Sequence, residues 1–153
     1  MLFRSTAAAV AGATLASYVL VYTPLKRRTS LAMLIGAIPG ALPPVIGWAA
    51  TTGRVDLGAL VLFGIVFLWQ MPHFLAIAWM YRDDYAAAGM PMLPVIEPDG
   101  RRTAHQALIY AAALWPVSVM PAFVGIASAP YTIVATVLGF VLIALAVRFV
   151  RER

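Results

Sequence analysis

The sequence has no cysteine and no asparagine, and only 11% of its 153 residues are charged. Without cysteine there is no disulfide and no thiolate metal site. Acidic residues are scarce, six Asp and Glu against eleven Lys and Arg, and none precedes Asp56. A soluble domain carries about 25% charged residues, so this chain has too little charge for an ordinary water-facing surface. Asp, Glu, Lys and Arg are missing altogether from 5–25, 29–53, 57–81 and 103–147.

Those gaps are filled by a composition that is 63% hydrophobic, with a mean hydropathy of +0.89. One membrane crossing needs ~20 apolar residues. The first three stretches fit one helix each. The fourth is too long for one, and Gly125 with Ser128-Ala129-Pro130 divides it. The expected fold is all-α, a polytopic integral membrane bundle. Its helices fall at about 5–23, 30–51, 57–80, 104–124 and 130–148. No repeat, low-complexity tract or linker divides 1–153, which reads as a single transmembrane domain.

With five spans, alternate loops share a side. One side receives Lys26, Arg27, Arg28, Arg82, Arg101, Arg102, Arg148, Arg151 and Arg153, and the other only Arg4 and Arg54. Basic loops stay in the cytoplasm, so the N-terminus is expected outside and loops 24–29 and 81–103 inside, in a bacterial-type inner membrane. Arg4 before a small-residue apolar run also imitates a signal peptide. Cleavage there would strand Lys26-Arg27-Arg28 outside, against the charge rule. The net charge of +5 suits anionic lipid headgroups or an anionic substrate, not nucleic acid.

The chain is organised around Trp69 to Val95, WQMPHFLAIAWMYRDDYAAAGMPMLPV. Gln70 and His73 fall inside an apolar span, where polar groups face protein or a water-filled cavity. Gln70, His73, Ile77, Tyr81 and Asp84 follow helical spacing and are expected on one face. Asp83 and Asp84 then end a helix, where the macrodipole disfavours them and a cation would relieve them. Pro43 lies ~20 Å below the basic surface at 1.5 Å per residue. Gln70 and His73 lie ~17–21 Å below Asp84, so these residues are expected to form the floor of a shared cavity. Gly36-x-x-x-Gly40 reads as a close-packing pattern. Asp56 reads as an N-cap, Asp99-Gly100 as a turn, and Thr103 with Gln106 as a capping box. Gly89, Pro91, Pro94 and Pro98 break loop 82–103, which is expected to fold over the cavity.

YTPLKRRT, GALPPVIGW, the block 69–95 and RRTAHQ together resemble the protohaem IX farnesyltransferases, or haem O synthases. These are a branch of the UbiA-type intramembrane prenyltransferases. The resemblance runs from about Tyr18 to the end and is most specific over 69–95. It implies transfer of a farnesyl group from farnesyl diphosphate to haem B, with Mg²⁺ holding the diphosphate. Asp83 and Asp84 match that superfamily's second acidic, metal-binding cluster. Lys26, Arg27 and Arg28 match a basic loop beside the active site. His73 matches a histidine to which haem binding is ascribed. Gln70, Tyr81, Arg82 and Tyr85 join the substrate-binding set. An allylic cation forms when diphosphate leaves, so an apolar, water-excluding cavity with aromatic faces fits the chemistry. Trp69, Phe74, Trp79 and Tyr81 are the candidate faces.

Two departures stand beside the resemblance. The first acidic cluster, N-x-x-x-D-x-x-x-D, is missing, and five helices fit where the superfamily has about nine. The chain is therefore expected to be a central-to-C-terminal fragment, inactive alone, whose partner would be the missing N-terminal half. A quinone or chlorophyll precursor as acceptor is one alternative, and a non-catalytic haem-binding assembly protein another.

Overall fold

Five helical spans long and apolar enough to cross a membrane follow one another through a computed structural model that describes residues 2–152. They cover Ser5–Leu25, Ala32–Thr52, Leu57–Met80, Arg101–Phe123 and Ala129–Glu152. No strand occurs among the described residues. Arg153 and the side chain of Arg4, both counted in the charge asymmetry, lie outside what is described.

The first span joins α1 (Leu2–Ser17), a π-helical turn (Tyr18–Tyr22) and α2 (Thr23–Leu25). Pro24 has no N–H to continue an α-helical ladder. The backbone widens ahead of it, and both the N–H and the hydroxyl of Thr23 donate to the carbonyl of Tyr18, the hydroxyl at 3.0 Å. The second span is broken into α3 (Ala32–Gly40) and α4 (Pro43–Thr52). Pro43 cannot donate to the carbonyl one turn back, so α3 stops, and Pro43 then opens α4 where a missing N–H does no harm.

Gly53 (φ 75°) caps α4, and its carbonyl accepts from the Thr6 hydroxyl at 3.1 Å, which ties the start of α1 to the end of α4. Asp56 caps α5 (Leu57–Met80) as expected, accepting from the N–H of Gly58 and Ala59. Desolvation raises its pKa, but the Arg54 guanidinium at 2.9 Å and those two N–H groups outweigh this and hold the carboxyl below its usual value.

α5 ends earlier than a continuous stripe to Asp84 requires. Tyr81 (φ −107°, ψ 25°) breaks the helix, and α6 (Arg82–Ala87) begins directly after it. Asp83 and Asp84 therefore occupy the first turn of a helix, where the macrodipole favours them, not the last turn of α5. A short α7 (Leu93–Ile96) leads to α8 (Arg101–Phe123). The capping-box expectation fails here. Gly100 (φ 69°) opens α8 three residues earlier, Asp99 accepts from the Arg101 N–H, and Thr103 is fully buried inside the helix. Gly125 (φ 76°) separates α8 from α9 (Ala129–Glu152), as expected.

Chain neighbours are spatial neighbours. α1 packs on α4, α3 and α4 on α5, α5 on α8, and α8 on α9. Buried alanines such as Ala37, Ala49, Ala78 and Ala111 let the helices approach closely. The bundle is thus a row with α1 and α9 at its ends, and loops 26–31 and 81–100 meet at one end of it.

Candidate functional site

A cavity of about 760 Å³ lies between the first span, α3 and α5. Thr14, Tyr18, Tyr22 and Lys26 recur every four residues along the first span, and all four line it. Tyr18 and Tyr22 rest against each other at 5.1 Å between ring centroids. Lys26 stands at the mouth with Tyr85, Met90 and Met92, so part of loop 82–92 contributes to the cavity wall.

The α5 wall is Gln70, Phe74 and Ile77. Gln70 is only 5% exposed, and its amide nitrogen donates to the Ala37 carbonyl at 2.8 Å. Its carbonyl oxygen lies over Gly40, where a Cβ would be 2.5 Å away. Gln70 is not the floor that was expected. The lining continues to Ala11 and Ile46, and it includes Pro39 rather than Pro43. Gln70 is thus a polar point partway along a largely apolar wall.

His73, expected on the same stripe, is exposed and off the lining. Its ring stacks on Trp69 (5.0 Å, 13°) and tilts against Phe74 (5.5 Å, 49°). Trp69 lines a second, apolar cavity of about 440 Å³ against α8 and α9. His73 is therefore a ridge in ring contact with one residue from each cavity.

Among the described residues, the arginine-acid pairs leave one carboxylate over. Asp56, Asp83, Glu97, Asp99 and Glu152 each have an arginine nitrogen within 4.0 Å. Asp84 has no ion pair among the described residues. Arg82 donates to the Trp79 carbonyl at 3.2 Å and sits 4.7 Å above the Trp79 ring. Trp79 in turn lies where a Cβ on Gly100 would be (2.6 Å), with Phe149 of α9 at its edge (6.0 Å).

Of the expected site residues, the cavity gathers Lys26, Gln70 and Tyr85. Arg27, Arg28, Tyr81, Asp83 and Asp84 are exposed and off the lining, and Arg82 is turned onto Trp79. Among the candidate aromatic faces only Phe74 reaches the lining, since Trp69 and Trp79 face α8 and α9 and Tyr81 is exposed. Tyr18 and Tyr22 do line it, and their four-residue spacing to Lys26 was the available signal. No group of three metal-ligating side chains occurs among the described residues. Chemically, the site offers a cationic mouth for an anion, a free carboxylate for a cation, and an aromatic-lined space for an apolar body.

The UbiA prenyltransferase family matches the chain over residues 1–153. The chain is 52% identical over 146 residues to a protoheme IX farnesyltransferase of Solibacter usitatus, covering 95% of this chain and 50% of that protein. It is 50% identical over 135 residues to one of Koribacter versatilis, covering 88% and 44%. It is 56% identical over 104 residues to one of Salinibacter ruber, covering 68% and 37%. The chain spans about half the length of these curated relatives. No solved structure is a significant match.

Proposed function

The chain belongs to the UbiA prenyltransferase family, and on that premise we propose that it supplies part of a haem-farnesylating enzyme. The reaction is transfer of a farnesyl group from farnesyl diphosphate to protohaem IX (haem B), giving haem O. The observation that carries this reading is the large cavity. An apolar, aromatic-lined space has Lys26, which makes no ion pair among the described residues, on its lining, together with Tyr85, the chain neighbour of Asp84, which has no arginine partner. A prenyl diphosphate has the same division, an apolar chain joined to a multiply charged anion.

In this reading Lys26 and Arg27 draw the diphosphate to the mouth, with Arg28 and the Tyr85 hydroxyl beside them. Tyr81 and Arg82 flank the same opening. Arg gives paired donors to phosphate oxygens, and Lys a compact charge. The chain lies against Tyr18, Tyr22, Phe74 and Gln70, away from bulk water. His73 serves haem from the ridge between the two cavities. Magnesium fits the donor chemistry of Asp83 and Asp84, because Mg²⁺ binds through one or two carboxylates together with substrate phosphates. Held there, the ion would neutralise charge on the departing diphosphate.

The bundle is an integral membrane protein. The basic end is assigned to the cytoplasmic side of a bacterial inner membrane by the charge asymmetry. A second set of carboxylates would come from a partner segment such as the N-terminal half of a relative. The test is coexpression of this chain with that half of the Solibacter usitatus protein, followed by incubation with farnesyl diphosphate and haem. Mass spectrometry is expected to find farnesylated haem with both pieces and none with this chain alone. Product from this chain alone would remove the need for a second acidic cluster. No product from the pair, when the intact relative is active, would reject the reading.

A further inference from the structure

The π-helical turn Tyr18–Tyr22 decides which side chain beyond it reaches the large cavity. An α-helix turns about 100° per residue. In an unbroken one, Leu25 would stand about 20° from Tyr18 around the axis, and Lys26 about 80°. A π turn takes in one extra residue, so everything beyond it lags by about 100°. Lys26 then falls about 20° from Tyr18, and Leu25 about 120°. The cavity lining agrees with this second register, since it holds Tyr18, Tyr22 and Lys26 and omits Leu25.

Two adjacent residues maintain that register. Pro24 has no N–H for the Leu20 carbonyl, and in an α-helix its ring would press against that carbonyl. Widening the turn relieves the contact. Thr23 closes the wide turn, because its N–H and its hydroxyl both donate to the Tyr18 carbonyl, the hydroxyl at 3.0 Å. The α-helical pattern then resumes, with the Lys26 N–H donating to the Tyr22 carbonyl at 3.0 Å. Thr23 and Pro24 are exposed and off the lining, so they act on the cavity through register alone.

We propose that Thr23 and Pro24 are positioning residues whose π turn puts the Lys26 ammonium, and not the Leu25 side chain, on the cavity wall. Lys26 is the only lysine in the chain and the only basic side chain on that lining. A slip of one residue would exchange this charge for a branched alkyl group. The register stands on geometry, and only the part Lys26 plays towards a diphosphate rests on the function proposed above.

Cysteine pairs test the register in a chain that has none of its own. Tyr22 rests on Gly36, and Gln70 on Gly40 one turn deeper. Lys26, one turn above Tyr22, and Ile77, two turns above Gln70, therefore lie at a similar depth on different walls of the cavity. Ile77→Cys is combined with Lys26→Cys or with Leu25→Cys, and each reconstituted protein is treated with a short bis-maleimide. Mass spectrometry is expected to find severalfold more crosslink from the Lys26 position than from the Leu25 position. Thr23→Val with Pro24→Ala removes both supports, so the turn should close to α. The Thr6 bond to Gly53 and the Tyr22 ring on Gly36 hold the body of the span, so the residues beyond the turn rotate and the preference should invert. Deleting Leu20, which is 72% exposed, from that double variant takes out the extra residue and should restore the preference for Lys26. No substrate is present, so the result is separate from whether the two chains farnesylate haem. The parent comparison needs neither variant to fold. A parent without the preference for Lys26, a preference that the double variant leaves unchanged, or one that the deletion does not restore overturns the proposal.

Discussion

The side-chain amide of Gln70 donates to the carbonyl oxygen of Ala37 at 2.8 Å, across 33 residues of sequence. The same side chain occupies the space that a Cβ on Gly40 would need. Gly40→Ala should therefore destabilise the protein in detergent by about 1–3 kcal/mol through overpacking. Gln70→Ala should cost a similar amount by breaking a buried bond. The double variant should lose less than the sum, with a coupling of roughly 1 kcal/mol. Thermal unfolding of the four proteins measures this, and strict additivity would mean that the two sites do not touch.

Asp84, without an arginine partner, should matter more than Asp83, which has Arg82 at 4.0 Å. In the reconstituted pair of chains, Asp84→Asn should reduce turnover roughly 100-fold and raise the Mg²⁺ concentration needed. Asp83→Asn should have a smaller effect unless both carboxylates hold the ion. Turnover close to parental in both variants would remove the acidic pair from the mechanism.

His73→Ala should weaken haem binding by about tenfold or more. Farnesyl diphosphate binding should change little, because His73 is off the lining of the large cavity. Titration followed by the haem absorption band gives one affinity, and competition with a labelled diphosphate gives the other. Unchanged haem affinity would leave His73 as packing for Trp69 and Phe74.

Because the chain has no cysteine, a single one introduced at exposed Pro98 reports topology cleanly. It should resist a membrane-impermeant thiol reagent in intact cells and react once the membrane is opened. Labelling from outside would reverse the orientation.

Asp56 gives a pH dependence with a defined sign. Its folded pKa lies below the ordinary carboxylate value. The stabilisation it gives is therefore complete above that ordinary value and is lost as pH falls through the folded one. Asp56→Asn keeps a capping side chain but removes the charge that pairs with Arg54. Between about pH 7 and pH 3 the parent melting temperature should fall further than that of the variant. Equal falls would show that other groups govern acid stability.

The helices were legible because membrane depth imposes length and apolarity, and the breaks at Pro43, Gly53 and Gly125 follow from backbone chemistry alone. The site was half legible. Gln70 and Lys26 were named from their types and neighbours and Tyr85 beside the family resemblance, and all three line the cavity. The stripe through His73 to Asp84 assumed one helix through Tyr81, and the break there turns everything beyond it. Thr103 had capping spacing, but Gly100 can adopt the left-handed conformation and starts the helix first. Tyr18 and Tyr22 were missed because ring-bearing residues near a helix end resemble ordinary interfacial anchors.

Trp79 touches its own helix end through Arg82, the turn before α8 through Gly100, and α9 through Phe149. That single indole fastens three spans together at the basic end. The first span is held by the Tyr22 ring on Gly36 and the Thr6 hydroxyl on the Gly53 carbonyl, and none of its most apolar window is buried. Burial is thus uneven along the row, greatest in the three middle spans and least in the first. A guest in the large cavity therefore presses on the wall with the least buried surface of the five spans.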